Sequence, residues 1–336
     1  MRAGWMKLRS ELPGSLGFAL LLAGGFMLFT AWDQSHWWRV KQDYSFGWLV
    51  PLLVAFVVHD RWPQIRAAAA ACGVPGSPRA AGWQGLLLAS VTGAALVLGA
   101  AFFLLGSFYR AGAGTSQPGT LAITLGMVGI TAALLVLNAP PSPSPARAGL
   151  AQDARLRFAS LFLFPVLIWL VSAPMVSAVE SQLNLLLLRR VVAVVAFVFD
   201  ALGLPIEQRG NVLALPPVNG QPNLVGVEDA CSGIRSLTAC LFAGSFLSAV
   251  FVQPAWKKVA LVVAALLLAF VTNLGRSLFL TAWAYRHGHA AIEGTVHDVA
   301  GYAVLGGTVL GLLALLPVMN LRLLPAGRPL PAAPSP

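Results

Sequence analysis

Three groups of polar residues interrupt the apolar runs of this chain, and each has a composition that could do chemistry. The first is Glu228-Asp229-Ala230-Cys231-Ser232-Gly233-Ile234-Arg235, where a polar loop passes into an apolar helix. Backbone N–H groups at a helix N-terminus favour an anion. Arg235 stands four residues after Cys231 and shares its face. Both effects favour a thiolate, the form of cysteine that acts as a nucleophile. The bland alternative for Cys231 is a small buried residue. Cys240, inside the same helix, and Cys72, in a basic loop, read as inert. Arg235 could instead be structural, paired with Glu228 or Asp229.

The second group is Thr272-Asn273-Leu274-Gly275-Arg276-Ser277. An arginine within an apolar helix is costly, so it marks a functional site by default. Arg276 precedes Trp283 by about 10 Å of helix at 1.5 Å per residue. Asn273 is one turn earlier and could orient it. Snorkelling to the headgroups or pairing with an acid would also explain the charge.

The third group is His287-Gly288-His289, Glu293 and His297-Asp298. His297 opens the last apolar helix, where it is either a base or an interface residue. His-x-His, and Glu293 with His297 at i,i+4, are admissible metal-ligand spacings, but the set matches no known zinc pattern. No metal is expected. Two further features read as structural. Asp43-Tyr44-Ser45-Phe46-Gly47-Trp48 is a turn and interface anchor before a helix, and the pair Gly307 and Gly311 is a close helix contact.

What must position these residues is a membrane bundle. Of 336 residues, 57% are hydrophobic and 10% charged, with mean hydropathy +0.77. A soluble domain is about 25% charged, so that class is excluded. Several apolar runs approach or exceed the ~20 residues a spanning helix needs. The net charge of +10 is no nucleic-acid footprint, because the basic residues lie between apolar runs, where they set orientation. Three cysteines make no disulfide framework. The first apolar run follows Arg2, Lys7 and Arg9 but is longer than a signal h-region, so it reads as a retained helix.

Helices are expected over about 16–32, 47–58, 83–105, 120–137, 158–176, 230–252, 259–285 and 297–319, with a further apolar segment at 183–204. The longest polar connection of the second half, 205–227, precedes the Cys231 helix. With the N-terminus in the cytoplasm, Arg61, Arg66, Arg79, Arg147, Arg155, Arg157, Lys257, Lys258, Arg322 and Arg328 should all lie inside. Nine crossings would break that pattern. The segment 183–204 carries Arg189 and Arg190, and is assigned as an amphipathic or re-entrant helix on the outer side. The expected architecture is all-α: about eight spanning helices in one membrane domain, 1–320, followed by a Pro/Ala-rich cytoplasmic tail, 321–336. Cys231, Arg276 and His297 then share the outer face.

Taken together, these residues resemble the exosortase/archaeosortase family of membrane-embedded cysteine transpeptidases. The likeness runs from about Asp43 to Leu316 and is strongest from Val225 to Leu305. The Ala-Cys-Ser-Gly motif followed by an apolar residue and Arg is matched at 230–235. The Asn-x-x-Arg motif is matched by Asn273 and Arg276. The histidine opening the last conserved helix is matched by His297, ahead of Gly301 and Tyr302. The Tyr-Ser-His-Gly motif is matched by Tyr44, Ser45 and Gly47, with Phe46 in place of histidine.

The resemblance implies Cys231 as nucleophile, His297 as base and acid, and Arg276 as stabiliser of thiolate or oxyanion. Arg235, Asn273, Glu228, Asp229, Ser232, Gly233, Tyr44 and Ser45 would support the site or contact substrate. It implies no cofactor. The substrates would be secreted proteins ending in a Pro-Glu-Pro-type motif, a transmembrane helix and a basic cluster, cut at the outer face of the bacterial cytoplasmic (inner) membrane. The acyl group would pass to a surface nucleophile or water, and the lipid bilayer and exopolysaccharide-assembly components would be further partners. Two rivals differ in their needs. A transporter would use Arg276 and the acids as midplane substrate ligands and require no thiol. A metal-dependent hydrolase would use His287, His289, Glu293 and His297 and be sensitive to chelators.

Overall fold

The computed structural model describes residues 13–218, 220–226 and 233–320; the tail 321–336 falls outside them. The helices are α1 (Gly14–Val40), α2 (Val50–Asp60), α3 (Trp62–Gly73), α4 (Gly82–Ala113), α5 (Gln117–Leu137), α6 (Ala154–Ser160), α7 (Leu163–Ser172), α8 (Ser177–Ala201), α9 (Gly233–Phe251), α10 (Ala255–His287) and α11 (Thr295–Asn320). A 3-10 segment, Gln42–Leu49, joins α1 to α2. Strands β1 (Pro78–Ala80) and β2 (Ala146–Ala148) form a short parallel pair. Strands β3 (Glu207–Arg209), β4 (Val212–Val218) and β5 (Gln221–Gly226) form an antiparallel sheet.

Seven of the described helices, α1, α4, α5, α8, α9, α10 and α11, are long and apolar enough to cross a membrane, and the bent pair α6/α7 makes an eighth. The protein is a polytopic helical membrane protein. Its two small sheets are additions to the expected all-α bundle, and the larger one occupies the stretch expected to be a plain polar connection.

The end of the bundle where α1 finishes is taken as the upper end. Helix α1 continues eight residues past the expected Trp32, to Val40. Its polar residues there find partners on other helices. Asp33 pairs with Arg110 at the end of α4. The Gln34 amide donates to Thr124 Oγ1 at 2.8 Å and accepts from Ser172 Oγ at 2.8 Å. Both are buried, and burial of such groups is tolerable only when their hydrogen bonds are made. Helices α4 and α5 meet through glycines: a Cβ on Gly126 would overlap the backbone at Phe103, and one on Gly99 would lie 2.8 Å from Ile130 N. Small residues allow this backbone approach.

The helix expected over 47–58 is not one straight span. It is a 3-10 segment, then α2 of 11 residues, about 16 Å long at 1.5 Å per residue, then α3. This path still carries the chain to the lower end, where Ile65, Ala69 and Cys72 pack with Leu16, Leu135 and Phe158. The helix expected over 158–176 is also broken, with α6 and α7 bent by 45°. Pro165 is the cause. It has no N–H to give the carbonyl of Leu161, four residues back. Arg61, at the α2/α3 break, supplies the donor instead: its guanidinium bonds Leu161 O at 2.8 Å and Ala249 O, near the end of α9, at 2.7 Å.

Helix α8 has the length and composition of a span, but its contacts hold both ends at the upper end. Its first turn binds Lys41 through Glu180 at 2.6 Å and Gln117 through Ser177. Its last turns stack Phe199 on Tyr285, with ring centroids 5.9 Å apart, at the top of α10. Between them, Leu188, Val191, Val192 and Val195 belong to a cluster that packs on Phe270, Leu274 and Leu278 of α10. Among the described residues the chain therefore passes between the two ends eight times, with α8 lying against the upper half of α10. The β3–β5 sheet caps this end. Asn223 Nδ2 donates to Ala284 O at 2.8 Å, and Leu215 and Val225 pack with Leu280, Ala284 and Ile292.

Candidate active site

Helices α10 and α11 run antiparallel, and their upper halves bring two of the sequence-derived residues together. Arg276 Nη2 lies 2.9 Å from His297 Nε2 and 3.4 Å from the His297 carbonyl oxygen. A guanidinium only donates, so Nε2 accepts and the ring proton belongs on Nδ1. That nitrogen faces Asp298 Oδ1 at 3.4 Å. Arg276 Nε is buried and has no hydrogen-bond partner among the described residues. Asn273 is buried one turn below. Lower still, Thr272 and Thr308 join the two helices through their hydroxyls at 3.1 Å.

Glu228, Asp229, Cys231 and Ser232 lie outside the described residues, which resume with Gly233 as the first residue of α9. The height of that helix start follows from packing lower down. A Cβ on Gly244 would sit 2.7 Å from Ala265 Cβ, so these residues are opposite one another. Gly233 is eleven residues above Gly244 on α9, and Arg276 is eleven above Ala265 on α10. Eleven residues rise about 16 Å on either helix. The start of α9 is therefore level with Arg276.

The sequence presents Asp43 as a mere turn residue, but the structure gives it a clear role at this end. Its carboxylate accepts from Arg235 Nε at 3.0 Å, and its carbonyl accepts from Thr238 Oγ1 at 3.1 Å. Arg235 thus pairs with Asp43. Phe46 stacks on Phe242 at 4.8 Å, further fastening the 3-10 segment to α9. A Cβ on Gly47 would overlap the Trp38 ring, which accounts for glycine there. Tyr44 is fully buried, and its hydroxyl accepts the Met175 N–H at 3.0 Å. Ser45 is exposed and its hydroxyl donates to Gln42 O. Beside Asp43 lies a polar cavity of about 290 Å³, lined by Lys41, Ser177, Glu180, Asn184 and Ile234.

The histidines of the loop above α10 go separate ways. His287 stacks on Trp283, His289 faces Glu293 at 3.7 Å, and His297 faces Arg276. Among the described residues, no three His, Cys, Asp or Glu side chains gather where a metal ion would sit.

A family model described as transmembrane exosortase (Exosortase_EpsH) matches residues 37–314. The chain belongs to the transmembrane exosortase family. No curated protein and no solved structure matches it. The matched exosortase region begins just before Asp43 and takes in the start of α9, Arg276 and His297. Membership carries a membrane-embedded exosortase-type function, directed at secreted proteins with sorting signals.

Proposed function

We propose that this exosortase is a cysteine peptidase and transpeptidase that cuts PEP-CTERM-like C-terminal signals at the outer face of the cytoplasmic membrane. The observation that supports this most is the common height of the α9 start and the Arg276–His297 pair. Cys231 precedes Gly233 by two residues in the sequence, and this reading pairs it with that base and cation.

In the proposed reaction, Cys231 gives its proton to His297 Nε2 and its sulfur attacks the scissile carbonyl. Nε2 holds a hydrogen bond from Arg276 Nη2 in the resting arrangement. The arriving proton displaces that donor, and the freed Nη2–H turns to the oxyanion, beside the unpartnered Nε–H. The carbon–nitrogen bond breaks, the His297 proton goes to the leaving amine, and a thioester remains on Cys231. An acceptor nucleophile, or water, then takes the acyl group. A guanidinium that can offer two N–H donors side by side is well suited to a developing oxyanion.

The test is a secreted reporter carrying a Pro-Glu-Pro motif, an apolar helix and a basic cluster, expressed with the enzyme in membranes. Cleavage by wild type with accumulation of uncut reporter in Cys231→Ala is the expected result. Equal cleavage by the Cys231→Ala variant would end the cysteine mechanism. A transporter has no reason to cut the reporter at all.

A further inference from the structure

Between α10 and α11, at the depth of Arg276, is a mainly apolar groove of about 330 Å³ that opens sideways from the bundle. Thr272, Gly275, Arg276, Phe279, Ala303 and Gly307 are among the residues lining it. It lies within two helices apolar enough to span a membrane, so its mouth faces the bilayer. Two of its residues are glycines that the described residues do not pack against. A Cβ on Gly275 or Gly307 would meet nothing within 4 Å. Gly311, one turn below Gly307, behaves differently: a Cβ there would come within 2.6 Å of Leu268. The Gly307/Gly311 pattern is thus half used inside the bundle and half presented to the outside. Arg276, whose guanidinium contacts His297, belongs to the groove wall, so the groove and the candidate active site are continuous.

We propose that this groove seats the transmembrane helix of the substrate, held by its small-residue face against Gly275, Ala303 and Gly307. The inference rests on the peptidase reading above and adds where the substrate docks. A helix is the occupant that fits. Bare glycines permit backbone-to-backbone approach, the usual basis of helix association in lipid, whereas an acyl chain gains nothing from them. Seating a helix here brings its N-terminal end, where the scissile segment begins, to Arg276 and His297. Entry from the side needs no opening of the bundle.

The experiment has a binding arm and a turnover arm, both using the full-length enzyme. In the first, a photoreactive benzoylphenylalanine replaces Ala303 in a Cys231→Ala background, with the tripartite reporter co-expressed. Irradiation should give an adduct that maps to the reporter's apolar helix, and the same probe at Gly25, an exposed open glycine on α1, should give none. In the second, Gly307→Leu and Gly275→Leu in the active enzyme should raise KM for the reporter about tenfold, in line with the loss of one packed helix contact. Cleavage of a short peptide bearing the motif without a helix should stay unchanged, as should reporter cleavage by Gly25→Leu. The unchanged peptide activity shows that the leucine variants are folded. Adducts to lipid alone, or normal KM in both leucine variants, would overturn the groove while leaving Cys231-dependent cleavage standing. Cleavage independent of Cys231 would instead defeat the peptidase reading itself.

Discussion

Asp43 and Arg235, 192 positions apart, are joined at 3.0 Å and tie the segment after α1 to the first turn of α9. Arg235 is more than half exposed, so the pair should be worth at most about 1 kcal/mol, or roughly fivefold. Asp43→Lys or Arg235→Glu alone should slow reporter cleavage by about that factor, and the two together should recover most of it. Initial rates in membranes at matched expression measure this. A double variant no faster than its worse parent would show that the pair does not set the start of α9.

Arg276 should need its planar fork. One N–H bonds His297 while another is without a partner among the described residues, and an ammonium offers only a point charge. Arg276→Lys should insert normally and lose about 100- to 1000-fold in turnover, the usual cost of one oxyanion donor. His297→Ala should be similarly impaired, while His287→Ala and His289→Ala stay active. Near-normal cleavage by Arg276→Lys would refute the role. Activity lost in the His287 or His289 variants and restored by added metal would favour a metal hydrolase.

Of the other two cysteines, neither should matter for cleavage. Cys72 and Cys240 are buried, and a cysteine buried in apolar surroundings is inert. The Cys72→Ala/Cys240→Ala double variant should process reporter at the wild-type rate. It should also retain one alkylatable thiol, at Cys231, whose modification by a maleimide stops cleavage.

Stability at low pH should depend on Asp153. Burial alone would raise its carboxyl, but Arg155 and the backbone N–H groups of Ala80 and Arg155 outweigh that and hold it below the usual range. A lowered folded value means the stabilisation is complete above the unfolded value, about 3.9, and fades as pH falls through the folded one. Asp153→Ala should cost about 1–3 kcal/mol at neutral pH, from a lost helix cap and buried partners. The gap from wild type, followed by thermal unfolding in detergent, should narrow below about pH 4.

Topology can be checked in a cysteine-free background. Leu202→Cys, after α8, and Ala113→Cys, ending α4, should both react with an impermeant maleimide added from one side. Ser144→Cys, in the exposed loop before β2, should react only from the other. Labelling of Leu202→Cys with Ser144→Cys would make α8 a true span.

The sequence exposed Arg276 and His297 because a cation inside an apolar run and a histidine at a helix start stand out locally. It also led to 183–204 being read as non-spanning, because nine crossings would break the Lys/Arg pattern and that segment carries Arg189 and Arg190. Asp43 stayed hidden because its meaning lies in partners on α9, and nothing in its neighbours encodes them. The full length of α1 is hard to read for a similar reason: Asp33 and Gln34 look like a loop until Arg110, Thr124 and Ser172 arrive to satisfy them. The break at Pro165 was readable from the missing N–H, but the arginine that completes the orphaned carbonyl comes from residue 61. The β3–β5 hairpins lacked a strong alternating pattern, since Pro216, Pro217 and Pro222 interrupt it.

Helix α10 has 33 residues, about 50 Å, against a hydrocarbon layer of about 30 Å. From Arg276 to its last residue, His287, it climbs about 16 Å more, and the β3–β5 sheet stands at that height. On the proposed reading this makes the upper end a measuring post. The globular part of any cargo halts at the sheet, so the cut must fall at least about five extended residues beyond it, at 3.3–3.6 Å each. Cargo with a shorter tether would present its signal to the membrane and never reach the knife.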